Sequence, residues 1–229
     1  MVFLQSQEKE MLIACLSFLF LAMVMTAVYR ADYVRPQVQL PRWPLARVKT
    51  GDLLLFNTSY EILTDIMKLV VGCHYVHVGI AFIDSQGRPF VFEICVNGRG
   101  NQFNALDVQL RKENEFVVIR PINKALNSEK FEQVALTLMG MPYSYNIVPI
   151  VLRAWLRPFM MLPTPKKHCN EGRVCTQLVA DMYEKLGVFD MSLHDCGSNA
   201  MTPKDFSDDG DRMPLTNRYH FKREYLLYE

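Results

Sequence analysis

Two apolar segments separated by a short turn, Val76–Ile83 and Pro89–Val96, constrain the fold of this chain more than any other feature. Bulky apolar residues alternate with small or polar ones along the first segment, and the turn contains Gly87. This pattern is typical of two antiparallel strands joined in a hairpin. His77 lies on the face opposite the bulky side chains, beside small residues that leave room above the sheet. Glu93 lies inside the second strand, where a charged side chain requires a partner.

The register of the hairpin decides whether His77 and Glu93 meet. If Ile83 opposes Pro89, then Glu93 opposes Gly79 and lies on the His77 face as a diagonal neighbour, ~7–8 Å away between Cα atoms. A glutamate side chain can span that distance and accept the proton of an imidazole nitrogen. The alternatives are a histidine that is hydrogen-bonded in the core and a glutamate on a solvated strand face.

The rest of the chain predicts an α+β domain in which a small antiparallel sheet packs against helices. Residues 53–56 and 116–120 predict further strands, and residues 218–228 predict a last one. Helices are expected over residues 58–71 and 129–139, and a glycine follows each of them.

Cys175 opens a segment of helical periodicity that ends at Gly187. Backbone N–H groups and the positive end of the helix dipole favour a thiolate at that position. A nucleophilic thiol also needs a base and a group that orients the base, and His77 and Glu93 are the candidates. An inert buried cysteine is the alternative. Cys95 is the rival nucleophile, because the same register places it opposite His77, but a thiol in the middle of a strand lacks the helix N-terminus.

These residues, taken in order, resemble the NlpC-like hydrolases of the papain fold. The half of that family that carries the catalytic base is similar to three parts of this chain: Gly51-Asp52-Leu53, His77-Val78-Gly79-Ile80 and Glu93. The nucleophile-bearing half looks like Gly140-x-Pro142-Tyr143 and Cys175-x-x-Leu178-Val179. The cysteine half comes first in the ordinary family, whereas the histidine half comes first here. The chain therefore resembles the circularly permuted branch, which includes YiiX-like proteins and, more distantly, the lecithin retinol acyltransferase group. Residues 117–121 and 202–206 also look YiiX-like.

The resemblance implies a role for each of these residues. Cys175 would be the nucleophile, His77 the general base, Glu93 the orienting acid, and Tyr143 would lie near the substrate. The implied activity is that of a thiol hydrolase, either an amidase or peptidase or a lipid esterase or acyltransferase, acting through a covalent acyl-enzyme. Peptide, isopeptide and lipid acyl substrates are all compatible with it. No cofactor or metal is expected.

Residues 11–28 carry no charge and number ~18, the lower edge of what spans a bilayer as a helix. We expect an N-terminal tail (1–10), a transmembrane anchor (11–29), a linker (30–47) and the hydrolase domain (48–229). A cleaved signal peptide and a buried core helix are the alternatives. Basic residues follow the span more often than they precede it, which favours a single-pass membrane protein with a cytoplasmic catalytic domain.

A second apolar stretch, residues 147–162, is either core or the wall of a lipid-facing groove. Trp155, which lies within it, would suit a position at the level of the lipid headgroups and is a candidate for substrate contact.

The near-zero net charge argues against a nucleic-acid surface. A zinc site is a further alternative, built from His74, His77, His168, Cys169 and Cys175. However, His74 and His77 are three apart on a predicted strand and would point to opposite faces. A catalytically inactive papain-like module that binds a lipid or peptide at the membrane also remains open, as does a membrane-tethered structural protein.

Overall fold

The computed structural model describes residues 20, 40–58, 68, 71–95, 100–111, 115–144, 174–193, 201–210 and 212–229. The chain divides into two units, residues 1–38 and 39–229, and every described residue except Phe20 belongs to the second. The strands are β1 (Arg42–Pro44), β2 (Leu53–Thr58), β3 (His77–Ile83), β4 (Pro89–Cys95), β5 (Gly100–Ala105), β6 (Glu115–Arg120) and β7 (Tyr225–Tyr228). The α-helices are α1 (Leu106–Leu110), α2 (Ser128–Leu138) and α3 (Cys175–Lys185).

These strands form one seven-stranded sheet in the order β1-β7-β6-β2-β3-β4-β5. All neighbouring pairs are antiparallel except β1 and β7, which run parallel at one edge. The α+β class is therefore confirmed, but the expectation of a small antiparallel sheet is wrong in size and in its parallel edge. The sequence missed β5 because its six residues, GNQFNA, lack a strand-like apolar alternation. It also missed β1, which lies inside the predicted linker and has only three residues.

The central hairpin has the predicted register. Ile83 opposes Pro89, and the pairing continues to Ile80 opposite Phe92. A strong turn explains why this part was predictable: the Asp84 side chain accepts hydrogen bonds from the backbone N–H groups of residues 86 and 88. The length of the turn and the alternation of apolar residues both predict the same pairing of the two strands, and together they define the register.

Two hydrophobic clusters lie on the two faces of the sheet. One face carries Val78, Ile80 and Phe92, and the buried side chains of α2 and α3 pack on it. The other face carries Leu54, Ala81 and Val91, covered in part by Leu106 of α1. Helix α3 packs on β3 and β4, and its first residue, Cys175, lies beside His77 and the backbone of Val78 at the start of β3.

Among the described residues, no helix is long and apolar enough to cross a bilayer. The predicted anchor, residues 11–28, lies outside them apart from Phe20, as do most of the predicted helix at residues 58–71 and the whole apolar stretch 147–162 with Trp155.

Candidate active site

Cys175 is the first residue of α3, and its side chain is buried. The helix starts here because Val174 is extended and its N–H donates to Oε1 of Gln177, 3.2 Å away, in the following turn. The first N–H groups of an α-helix lack intrahelical acceptors, so they surround the thiol with partial positive charge. The C-terminal end matches the sequence analysis, since Gly187 has a φ of 76°.

His77 is the first residue of β3 and joins the other two groups. Its Nε2 lies 2.6 Å from Oε2 of Glu93, which leaves Nδ1 as the ring nitrogen available to a second partner. Cys175 is the second group that acts on the ring, and its thiolate raises the pKa of the imidazole. The imidazole ring of His77 also packs against the ring of Phe56, with 5.3 Å between the two ring centroids. The three side chains nominated from the sequence therefore interact with one another, Cys175 with His77 and His77 with Glu93.

The space for this chain of contacts depends on Gly79. A Cβ added there would lie 2.5 Å from Cγ2 of Val91, closer than real side chains approach, and 3.5 Å from Cβ of Glu93. The β3–β4 pairing ends at Ile80, so the two strands are no longer paired where His77 and Glu93 reach each other. A small residue between them lets both polar side chains occupy the same face.

Glu93 has two further partners that the sequence analysis missed. The Nδ2 group of Asn104, on β5, donates to Oε1 at 2.7 Å, and the Nε2 group of Gln109, on α1, donates to the same oxygen at 3.0 Å. One carboxylate oxygen thus accepts two amide N–H bonds while the other faces His77. In the sequence, these two partners appear only as amide residues five positions apart. An amide side chain can donate to many kinds of acceptor, so the sequence does not indicate that they bind Glu93.

The electrostatics of Cys175 and His77 favour an ion pair. Burial lowers the pKa of His77, but the Cys175 thiolate and the Glu93 carboxylate outweigh burial and hold that pKa well above its usual value. Burial raises the pKa of the Cys175 thiol, but the imidazolium of His77 and backbone hydrogen bonds at Val78 and Thr176 outweigh it and lower that pKa. Each charged group thus stabilises the other.

The other candidates are placed as follows. Tyr143 is partly buried and packs against the hydrophobic cluster that includes Cys175. Trp155 lies outside the described residues. For Cys95 the structure describes the backbone at the end of β4 and not the side chain. Cys73 is a buried free thiol, and burial raises its pKa to about 11, so it is poorly suited to act as a nucleophile.

Two buried aspartates stabilise the framework around the site. Asp52 is fully buried and accepts hydrogen bonds from the backbone N–H groups of Lys49 and Ile122, at 2.8 and 2.9 Å, which join the start of β2 to the end of β6. Asp205 caps a short 3-10 helix by accepting bonds from the N–H and the hydroxyl of Thr202, at 2.7 and 2.9 Å. Neither carboxylate touches the thiol, so we interpret both as structural.

Comparisons with known proteins add little to this geometry. No protein-family model and no curated protein matches the chain. Among solved structures, it is similar to the crystal structure of metalloprotein yiiX from Escherichia coli O157:H7, DUF1105, at 16% identity, over 78% of this chain and 88% of that one, with a TM-score of 0.45. At this identity and TM-score, any functional argument rests on the chain's own residues. In the part of the chain that the structure describes, no three His, Cys, Asp or Glu side chains are grouped to hold a metal.

Proposed function

We propose that this chain is a membrane-anchored thiol hydrolase that cleaves an amide or ester bond through a covalent acyl-enzyme at Cys175. The observation that carries the proposal is the continuous contact from Cys175 to His77 to Glu93, with a thiol pKa lowered and an imidazole pKa raised. Burial alone would raise the pKa of a structural cysteine in the core and keep its thiol protonated. Such a cysteine would not need a histidine and a glutamate beside it.

In the first half of the proposed reaction, the Cys175 thiolate attacks the carbonyl carbon of the substrate. The carbonyl oxygen becomes an oxyanion, for which the N–H of Cys175 itself, in the first turn of α3, is a suitable donor. His77 then gives its proton to the leaving nitrogen or oxygen, and the bond between that atom and the carbonyl carbon breaks. The product of this step is a thioester at Cys175, with His77 neutral.

In the second half, a water molecule attacks the thioester carbonyl and His77 takes up the proton of that water. The carbon–sulfur bond breaks, the acid product leaves, and the thiolate and the imidazolium are restored. Glu93 stays ionised throughout and keeps the ring turned so that Nδ1 faces the sulfur. An alcohol or amine in place of water would make the same site an acyltransferase.

The order of the two halves supports a permuted NlpC-like domain, because His77 and Glu93 on β3 and β4 precede Cys175 on α3. The uncharged run at residues 11–28 supports a bilayer anchor, which would present the domain to membrane-associated peptide, isopeptide or lipid acyl groups. Tyr143 and Trp155 are the proposed substrate contacts.

The proposed function can be tested by trapping the acyl-enzyme. Full-length protein would be incubated with panels of peptide amides and lipid esters, quenched in acid and analysed by mass spectrometry. We expect an acyl adduct on the peptide that contains Cys175, no adduct in Cys175→Ala, and an unchanged adduct in the matched control Cys73→Ala. An adduct that persists in Cys175→Ala would contradict the assignment. Bound but uncleaved substrate in the wild type would instead favour the inactive binding module.

A further inference from the structure

Strand β5 and helix α1 each contribute one side chain that contacts the carboxylate of Glu93. Asn104 near the end of β5 and Gln109 in α1 approach the same oxygen, at 2.7 and 3.0 Å, from two consecutive elements. Glu93 is almost completely buried, at 4% exposure, and Gln109 is also buried. A buried carboxylate without such donors would be strongly destabilised, so these bonds have a physical cause beyond packing.

The three partners of Glu93, which are Asn104, Gln109 and His77, favour the ionised form of its carboxylate. Both amide nitrogens carry only hydrogens to donate, and the protonated imidazole of His77 also donates. An ionised carboxylate accepts all three bonds, whereas a protonated one would lose an acceptor site to its own hydrogen. The geometry also specifies orientation: because both amides hold Oε1, Oε2 is left for His77.

We infer that Asn104 and Gln109 are positioning residues for the proposed reaction, which hold the Glu93 carboxylate ionised and turned toward His77. The inference rests on the proposed function, and it adds two residues that touch neither the substrate nor the reacting atoms. Their action on Cys175 passes through Glu93 and then His77. Loss of either amide donor should therefore change the protonation of the thiol, not only the stability of the domain.

The test uses substitutions of nearly the same shape in the full chain. Asn104→Leu and Gln109→Met each remove an N–H donor to Oε1 of Glu93 without adding a charge, so the ionised form of the carboxylate loses a hydrogen bond that favours it. Gln86→Met is the matched control, because Gln86 is an exposed amide in the β3–β4 turn. The readout is the rate of Cys175 alkylation by iodoacetamide as a function of pH, with the circular dichroism spectrum checked for each variant.

We expect the pH midpoint of Cys175 alkylation to rise by roughly one pH unit or more in both site variants, which slows alkylation about tenfold at pH values below the wild-type midpoint. Gln86→Met should keep the wild-type profile. In a Cys175→Ala background, the pKa of His77, measured by NMR of the ring, should fall on substitution of Asn104 or Gln109. A variant that does not fold is replaced by Asn104→Ala or Gln109→Ala, which remove the same donor with a smaller side chain.

Two outcomes separate this inference from the proposed function. Folded variants with the wild-type alkylation profile and an unchanged His77 pKa would overturn the positioning role while leaving the nucleophile intact. A wild-type protein whose Cys175 titrates like a free cysteine would instead overturn the proposed function itself.

Discussion

Gly79 and Val91 face each other across the β3–β4 hairpin so closely that a Cβ on the glycine would lie 2.5 Å from Cγ2 of the valine. The contact occurs where β3 and β4 stop pairing and between the two polar side chains of the proposed site. Because Gly79 has no side chain, the two strands can pack closely and His77 can contact Glu93.

Gly79→Ala should push β3 and β4 apart and lengthen the 2.6 Å contact between His77 and Glu93. Overpacking of this kind costs about 1–3 kcal/mol of unfolding free energy, measurable by urea denaturation. Cys175 alkylation at mildly acidic pH should slow as well. Gly87→Ala is the control: Gly87 has a φ of 77° and open space around it, so it should lose stability through backbone strain alone and keep the reactivity of Cys175.

Glu93→Gln should impair the site without abolishing it. A glutamine has one oxygen, so it cannot accept from His77 and from the two amides on Oε1 at once. The imidazole would lose both its anion and its orientation, and its pKa should fall toward the ordinary value. We expect turnover to drop less than in Cys175→Ala or His77→Ala, as measured on whichever substrate forms the acyl-enzyme. A Glu93→Gln variant as inactive as Cys175→Ala would show that Glu93 does more than orient the ring.

Asp52 should make the stability of the domain depend on pH. Burial raises its pKa from 3.8 to about 6, so the folded state holds a proton that the unfolded state releases between these values. Its contribution to the free energy of unfolding therefore falls as the pH rises from 4 to 7, by roughly 3 kcal/mol in total. Urea denaturation at a series of pH values should show this effect. The free energy of unfolding should fall more steeply with rising pH in the wild type than in Asp52→Asn.

Asp84 is the matched control for that measurement. It is a partly buried carboxylate in the β3–β4 turn whose pKa is lowered, because the hydrogen bonds and charge of Arg88 outweigh the effect of burial. Stability relative to Asp84→Asn should therefore rise with pH through the acidic range, the opposite sign to Asp52. Equal slopes for the wild type and Asp52→Asn would show that the Asp52 carboxylate titrates normally.

The proposed anchor predicts how the chain behaves in membranes. If residues 11–28 span a bilayer, full-length protein in isolated membranes should resist extraction by alkaline carbonate, because only spanning segments withstand it. Inserting two arginines near Phe20 should release the protein into the soluble fraction, whereas two leucines there should not. Carbonate release of the unaltered chain would contradict the anchor.

The parts of the fold that were predictable from sequence are those in which local signals agree. The β3–β4 hairpin has alternation, a turn and a tight register, so the meeting of His77 and Glu93 followed from counting residues. The start of α3 at Cys175 and its end before Gly187 followed from helical periodicity and a C-terminal glycine.

The parts that were missed depend on contacts between distant segments. Strand β5 carries mostly polar and small residues, and pairing with β4, rather than propensity, makes it a strand. The roles of Asn104 and Gln109 exist only because that pairing brings them to Glu93. Strand β1 is likewise too short to give a pattern, and its partner β7 lies at the other end of the chain.

The most direct test of the central claim is the pH dependence of alkylation at Cys175 and Cys73 in the same full-length sample, quantified peptide by peptide. The lowered thiol pKa of Cys175 predicts fast reaction already at mildly acidic pH, while Cys73, with a pKa of about 11, stays almost unreactive. His77→Ala should move the Cys175 profile to higher pH and leave Cys73 unchanged. A Cys175 rate that rises only near or above the free-cysteine value of ~8.5, with no response to His77→Ala, would contradict the thiolate–imidazolium pair.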